Sequence, residues 1–168
     1  MSIIVEDGTG KATAETFISV ADTDTYHTAR GNLPWLTITD AQKEQALRRA
    51  TEYMTATYRN RWQGQRTTAT VQALCWPRVG VTIEYVYVDC AIIPETIKQA
   101  CAEMALRAAA GPLLDDLTRG VISEQVGSIA VTYDKGSPQH TRYAAIDAML
   151  APYLKAGSNS ISMGLVRS

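Results

Sequence analysis

The sequence of residues 94–111 is PETIKQACAEMALRAAAG, and it predicts the central helix of the protein. Pro94 suits the first position of a helix because it has no amide hydrogen to leave unpaired there. The acidic Glu95 beside it favours the positive end of the helix dipole. Apolar residues then recur at helical spacing up to Gly111, a residue type that favours helix termination. The many alanines of this stretch leave room for a second helix to approach closely.

Three further stretches have the periodicity of a helix. A long helix is predicted over residues 40–60, because Thr39 is a good capping residue and apolar side chains then repeat on one face. A shorter helix is predicted over residues 19–31, from a serine cap to a glycine stop. A last helix is predicted over residues 143–154, where Pro152 is expected to shorten or kink its end.

The predicted β structure lies between these helices. Residues 122–134 (ISEQVGSIAVTYD) alternate in character on both sides of a glycine–serine pair at 127–128, which is typical of a hairpin with a two-residue turn. Residues 32–38 are predicted as a loop, and residues 61–93, interrupted by glycine and proline, are the least regular part. The predicted fold class is therefore mainly α, a small bundle of about four helices with a β-hairpin and an extended C-terminal tail.

The length of 168 residues suits one domain with a trailing arm. Residues 1–156 are expected to form the domain, and residues 157–168 are expected to form a flexible C-terminal arm. The sequence of the arm, GSNSISMGLVRS, is small and polar and has no helix cap. It also contains four apolar residues that have no predicted core to join: Ile161, Met163, Leu165 and Val166.

Composition excludes several classes of function. Sixteen basic and seventeen acidic residues give a formal charge of −1, which does not favour a protein that mainly coats nucleic acid. The three cysteines and two histidines lack the spacing of a zinc site, and no nucleophile motif is present. We expect a protein that is not an enzyme and that needs no metal or cofactor. The sequence also predicts neither a signal peptide nor a membrane span.

Residues 8–11, GTGK, match part of a phosphate-binding loop, but the match fails at two positions. Val5 stands where the first glycine of that motif is required, and Ala12 stands where serine or threonine is required. A turn between two short extended segments is the favoured interpretation.

Residues 48–78 combine six arginines with a single acid, Glu52, and with several aromatic residues. One interpretation is a solvated helix edge whose two tryptophans fill the core. A second is a protein–protein interface, where arginine and tryptophan are enriched. A third is a nucleic-acid site, because aromatic rings stack on bases and arginines neutralise phosphates. We favour them in that order, and the candidate interface residues are Arg59, Arg61, Trp62, Arg66, Trp76 and Arg78.

Seven segments, in order along the chain, are similar to those of a known family. They are IVEDGTG, FISVADTDTYHTARGN, ALRRATEYM, YRNRWQGQR, ALCWPRVGV, IPETIKQACAEMALRAAAG and SEQVGSIAVTY. Together they cover most of residues 2–155, and they resemble the head–tail adaptor, or head-completion, proteins of tailed bacteriophages. Some relatives in this family carry the label "putative DnaT-like single-stranded-DNA-binding protein".

The resemblance implies an adaptor that forms a ring, commonly twelvefold, beneath the portal protein of the virion. Neighbouring copies would contact one another head to tail, and packaged double-stranded DNA would pass through the lumen. Tail-completion or tail terminator proteins would dock on the ring, and an extended arm such as residues 157–168 would reach the portal. The family signature has no catalytic residues. The alternative is a single-stranded-DNA-binding protein that uses residues 58–78.

Overall fold

A computed structural model describes residues 3–68, 70–114, 123–126, 129–132 and 143–155, and it gives only the backbone for 123–126 and 129–132. Five α-helices lie within these ranges, and a 3₁₀ turn follows the last of them. The helices are α1 (Val20–Ala29), α2 (Leu33–Leu36), α3 (Asp40–Thr57), α4 (Glu95–Ala110) and α5 (Ala144–Leu150), and the 3₁₀ turn is Ala151–Tyr153. The predicted fold class, mainly α with a small β-hairpin, is confirmed.

The starts of the long helices follow from their capping residues. The Thr39 hydroxyl accepts a hydrogen bond from the Gln42 backbone amide, and the Gln42 side chain accepts one from the Thr39 amide, so α3 begins with a complete capping box. Helix α4 begins one residue later than predicted, because Pro94 has an extended ψ of 139° and serves as the N-cap. It ends at Gly111, as the sequence predicts.

Helix α2 is a single turn within the segment that was predicted to be a loop. Its Trp35 is fully buried, and the indole Nε1 donates a hydrogen bond of 2.7 Å to Asp24 of α1. The same carboxylate accepts a hydrogen bond of 2.9 Å from Lys43 of α3. One aspartate therefore joins three helices through contacts that local sequence periodicity does not reveal.

The core lies mainly between α3 and α4. The apolar stripe predicted on α3 is confirmed, since Leu47, Ala50 and Met54 are fully buried. On α4 the small residues at the contact, including Ala105, are also fully buried, so the two helices approach closely. Ile146 of α5 completes this layer, because α5 packs against α4.

The described residues also form three antiparallel strand pairs. They are β1 (Gln65–Arg66) with β2 (Arg78–Val79), β3 (Thr82–Ile83) with β4 (Val86–Tyr87), and β5 (Ser123–Val126) with β6 (Ile129–Thr132). The pairing of β5 with β6 confirms the hairpin predicted at residues 122–134. Its predicted turn at 127–128 and the predicted arm at 157–168 lie outside the described residues.

Candidate interaction surfaces

The two tryptophans of the arginine-rich segment lie inside the fold. Trp62 is 1% exposed and Trp76 is 0% exposed, and their rings meet edge to face with centroids 5.9 Å apart. Tyr58 continues this stack on one side at 5.8 Å, and Tyr153 continues it on the other at 5.7 Å. The aromatic stack thus joins the end of α3 to the 3₁₀ turn. In this state neither tryptophan is available to stack on a base or to contact a partner.

Arg78 is also largely internal, with 7% of its surface exposed. Its guanidinium donates hydrogen bonds to three backbone carbonyls, those of Gln63 at 2.6 Å, Gly64 at 2.7 Å and Cys75 at 3.1 Å. Burial lowers the pKa of this guanidinium. The side chain therefore ties two loop segments together. For Trp62, Trp76 and Arg78 the structure gives an internal packing role, and of the three only Arg78 also lines a surface cleft among those described below.

Arg59, Arg61 and Arg66 are at least partly accessible. The Arg61 guanidinium lies 5.5 Å from the centroid of the Tyr58 ring, which is a cation–π arrangement. Arg66 donates a hydrogen bond to the backbone carbonyl of Gln72 through Nη2, whereas its Nε is buried and has no partner among the described residues. Whether these three arginines contact a partner stays a prediction.

A cleft of about 660 Å³, which we call the arginine cleft, brings Arg59, Arg66 and Arg78 together. The end of α3, strand β1 and the loop before β2 form its walls. No carboxylate is among the described residues that line it, and the remaining lining residues are Thr55, Asn60, Gly64, Gln65, Ala73, Leu74 and Cys75. The local charge of this cleft is therefore strongly positive although the whole chain is close to neutral.

A second cleft of about 460 Å³ adjoins the arginine cleft and shares Thr55, Arg59, Ala73 and Leu74 with it. Its charge is balanced, because two glutamates, Glu15 and Glu52, line it together with two arginines, Arg48 and the shared Arg59. Arg48 Nε lies 2.8 Å from a carboxylate oxygen of Glu15. This ion pair raises the pKa of Arg48 and lowers that of Glu15. The unbalanced charge is thus confined to the arginine cleft.

Among the residues that the structure describes, the most exposed aromatic ones lie on the β3–β4 pair. We call residues 84–87 of this hairpin, Glu-Tyr-Val-Tyr, the hairpin tip. Tyr85 is fully exposed, Tyr87 is 80% exposed, and Val86 is 68% exposed. The two turn residues, Glu84 and Tyr85, have positive φ angles of 49° and 67°. These residues were not among the candidates predicted from the sequence, because residues 79–88 (VGVTIEYVYV) have the composition of a strand and carry no signal of an exposed turn.

Residues 8–11 form a tight loop around a carboxylate of the chain itself. The buried Glu6 side chain accepts hydrogen bonds from the amides of Gly8 at 3.0 Å, Gly10 at 2.9 Å and Lys11 at 2.8 Å. In a phosphate-binding loop these backbone amides would donate hydrogen bonds to the phosphate. Here they donate to the Glu6 carboxylate instead. Thr16 pairs with Val5 through a single parallel bridge, so the predicted turn is present but a second strand is not.

The buried histidine, His27, has a structural environment. Its Nε2 lies 3.1 Å from the carbonyl oxygen of Ala102, and its Nδ1 lies 2.9 Å from the side-chain nitrogen of Asn32. A carbonyl only accepts and an amide nitrogen only donates, so the proton is on Nε2 and the ring is neutral. In the part of the chain that the structure describes, no group of three His, Cys, Asp or Glu residues could hold a metal ion.

The arm residues proposed as a portal contact, Ile161, Met163, Leu165 and Val166, lie outside the described residues. The structure therefore brings together three of the ten candidate residues, in the arginine cleft. Of the other described candidates, Arg61 lies on the Tyr58 ring and the two tryptophans lie in the core.

The family model described as "Putative DnaT-like ssDNA binding protein" matches residues 1–168. The chain belongs to this family. No curated protein matches the chain, and no solved structure matches it. Within the described ranges, none of the helices has the length and apolar character needed to cross a membrane.

Proposed function

We propose that this family member is a head–tail adaptor of a tailed bacteriophage. It assembles as a twelvefold ring beneath the portal protein and around the packaged DNA, and it presents a docking surface to tail-completion proteins. The resemblance of residues 2–155 to adaptor proteins supports this function. The protein works through surfaces and contains no catalytic step.

The exposed hairpin tip is the observation that carries the proposal. Aromatic side chains that are exposed in a free subunit are typical of residues that anchor a protein–protein contact. Tyr85 and Tyr87 are therefore the residues that we expect to be covered when the subunit assembles. A small helical body with a projecting aromatic hairpin suits a subunit that contacts its neighbours.

Electron microscopy of the protein mixed with its portal protein tests the adaptor function. We expect a ring stacked on the portal, and we expect Tyr85→Ser to reduce the fraction of portals that carry a ring. Arg30→Glu, an exposed change at the C-cap of α1, is the control. Portals that stay bare at saturating protein would contradict the adaptor function.

The second candidate is single-stranded-DNA binding, which the family description names and which the arginine cleft favours. Three arginines without a lining carboxylate attract phosphate, and the cleft reaches the surface at Arg59. Base stacking on Trp62 or Trp76 has no part in this candidate, because both rings are buried. Phosphate contacts would supply the affinity instead.

A fluorescence titration with labelled single-stranded DNA at several salt concentrations tests this second candidate. Phosphate contacts release counterions, so log K would fall linearly with log salt, by about 0.7 for each phosphate neutralised. A smaller salt slope for Arg59→Glu than for the wild type, together with portals that stay bare with the wild-type protein, would establish DNA binding as the function. A ring on the portal without salt-dependent DNA binding would exclude it.

A further inference from the structure

The arginine cleft contains positive charge that the described part of the chain does not neutralise. Arg59, Arg66 and Arg78 make no ion pair within the described ranges, whereas Arg48 and Arg107 each pair with a glutamate. Arg78 is more than nine-tenths buried, and its described partners are carbonyl oxygens. A buried charge without a counter-charge is unfavourable, so the cleft is suited to an incoming carboxylate.

Unused donors in the cleft support the same conclusion. A guanidinium has five N–H groups, and the hydrogen bonds of Arg78 to the three carbonyls use three of them. The Nε of Arg66 is buried and has no acceptor among the residues described. A ligand that enters this cleft meets the three arginine side chains that line it, and Ala73 and Leu74 offer it an apolar wall.

The hairpin tip has the complementary chemistry. It contains one carboxylate, that of Glu84, two phenol rings and one valine, and it has no basic residue. All four side chains are exposed, and Glu84 makes no ion pair within the described chain. None of the residues that line the arginine cleft belongs to the hairpin, so the cleft of one molecule does not hold its own tip.

We propose that the arginine cleft is the docking site for the hairpin tip of a second copy of this chain. The Glu84 carboxylate of one copy pairs with Arg59 of its neighbour, and the tyrosine rings stack on guanidinium planes. The inference rests on the proposed ring, for which it supplies the contact between subunits. Tip and cleft are different patches, so the contact is heterologous and can close into a ring.

A charge exchange tests this contact in the full chain. Self-association is measured by sedimentation velocity over a concentration series, and the assemblies are inspected by negative-stain electron microscopy. We expect Glu84→Arg and Arg59→Glu each to weaken self-association about 30-fold or more, since each places like charges together. Arg30→Glu makes the same charge change elsewhere and should associate like the wild type.

A mixture of the Glu84→Arg and Arg59→Glu proteins should regain the self-association that each variant loses alone. In an alternating assembly every contact again pairs opposite charges, because the basic tip of the Glu84→Arg protein would meet the acidic cleft of the Arg59→Glu protein. The remaining contacts of that assembly are those of the wild type. Assembly in the mixture, but in neither variant alone, is the expected result. Wild-type assembly by both single variants would overturn the docking inference and leave the ring itself intact.

If the free protein does not associate with itself, disulfide cross-linking between two cysteine variants tests the same contact on the portal. Glu84→Cys in one protein and Arg59→Cys in another, each with Cys90→Ser, are mixed with portal protein under mild oxidation. A disulfide-linked dimer supports the contact, and its absence on portals that carry rings overturns the contact alone. Bare portals overturn the proposed function as well. Normal assembly with lost DNA binding in Arg59→Glu would assign the cleft to nucleic acid and overturn the docking inference.

Discussion

The arginine-rich segment and the hairpin that follows it differ in where they place their aromatic side chains. Trp62 and Trp76 are buried and meet edge to face, whereas Tyr85, in the turn of the hairpin, and Tyr87, in strand β4, are exposed. By composition both segments are suited to an interface. The difference shows that aromatic content alone does not locate a contact surface. Whether a ring is buried or exposed depends on the residues, distant in sequence, against which it can pack.

The largest effect expected from this comparison is on stability. Trp76→Ala should lower the free energy of unfolding by about 3–5 kcal/mol, because it removes the centre of the aromatic stack and leaves a cavity. Tyr85→Ala should change it by less than about 0.5 kcal/mol, because the ring is fully exposed. Urea denaturation followed by circular dichroism measures both. Similar losses in the two variants would show that the hairpin is part of the core.

Arg78 provides the next largest effect. Arg78→Met keeps an apolar stem but leaves the carbonyls of Gln63, Gly64 and Cys75 without their donor, and each buried unsatisfied acceptor costs about 1–3 kcal/mol. Because the variant also removes a buried charge, the expected net loss is about 3 kcal/mol. Arg59→Met is the matched control, and its unfolding midpoint in urea should not move. A stable Arg78→Met protein would contradict the packing role.

The sequence predicts the helices well because their signals are local. Thr39 and Gln42 lie three residues apart and form the cap of α3 as expected, and the apolar stripe of α3 appears at helical spacing. The end of α4 at Gly111 also agrees with the sequence, although Gly111 is extended, with a φ of 172°, and is not left-handed. Each of these features depends on neighbours within a turn or two of helix.

The candidate site was harder to predict because its contacts are long-range. Arg78 can hydrogen-bond to the carbonyls of Gln63 and Gly64 only when β1 and β2 pair, and no local sequence pattern predicts that pairing. The exposure of Tyr85 depends on a turn with positive φ at Glu84, a residue type that does not favour this conformation. An Asn-Gly pair at these two positions would have predicted the hairpin from the sequence, whereas a Glu-Tyr pair does not.

A change in the turn at Glu84 and Tyr85 should have a smaller effect on the free energy of unfolding, and it should stabilise the fold rather than destabilise it. Glu84→Asn combined with Tyr85→Gly should raise the free energy of unfolding by about 1–2 kcal/mol, because asparagine and glycine adopt positive φ more readily. The same protein should associate more weakly with itself, since the Glu84 carboxylate and the Tyr85 ring are gone. Thermal unfolding and sedimentation velocity measure the two properties. A lower melting temperature would show that the turn stores no strain.

The smallest effect concerns pH and the buried His27. Burial lowers its pKa below the ordinary 6.5, and although the Ala102 hydrogen bond and Glu103 act in the opposite direction, the net direction is downward. As the pH falls below 6.5, the unfolded chain binds a proton that the folded chain does not, so the free energy of unfolding decreases. The slope is at most about 1.4 kcal/mol per pH unit. Above pH 6.5 this contribution to stability is fully present.

Urea denaturation between about pH 7.5 and pH 5, a window that spans the ordinary histidine pKa, measures this slope. His140→Gln is the background, because it removes the second of the two histidines. The carboxylates with lowered pKa, Asp7 and Glu15, release their stabilisation only below their ordinary values of 3.8 and 4.5, outside this window. Adding His27→Phe should flatten the dependence. If the slope of the free energy of unfolding against pH were unchanged in that protein, the pH dependence would come from groups other than His27. The buried histidine would then not differ from the charged groups of the surface clefts in the way proposed here.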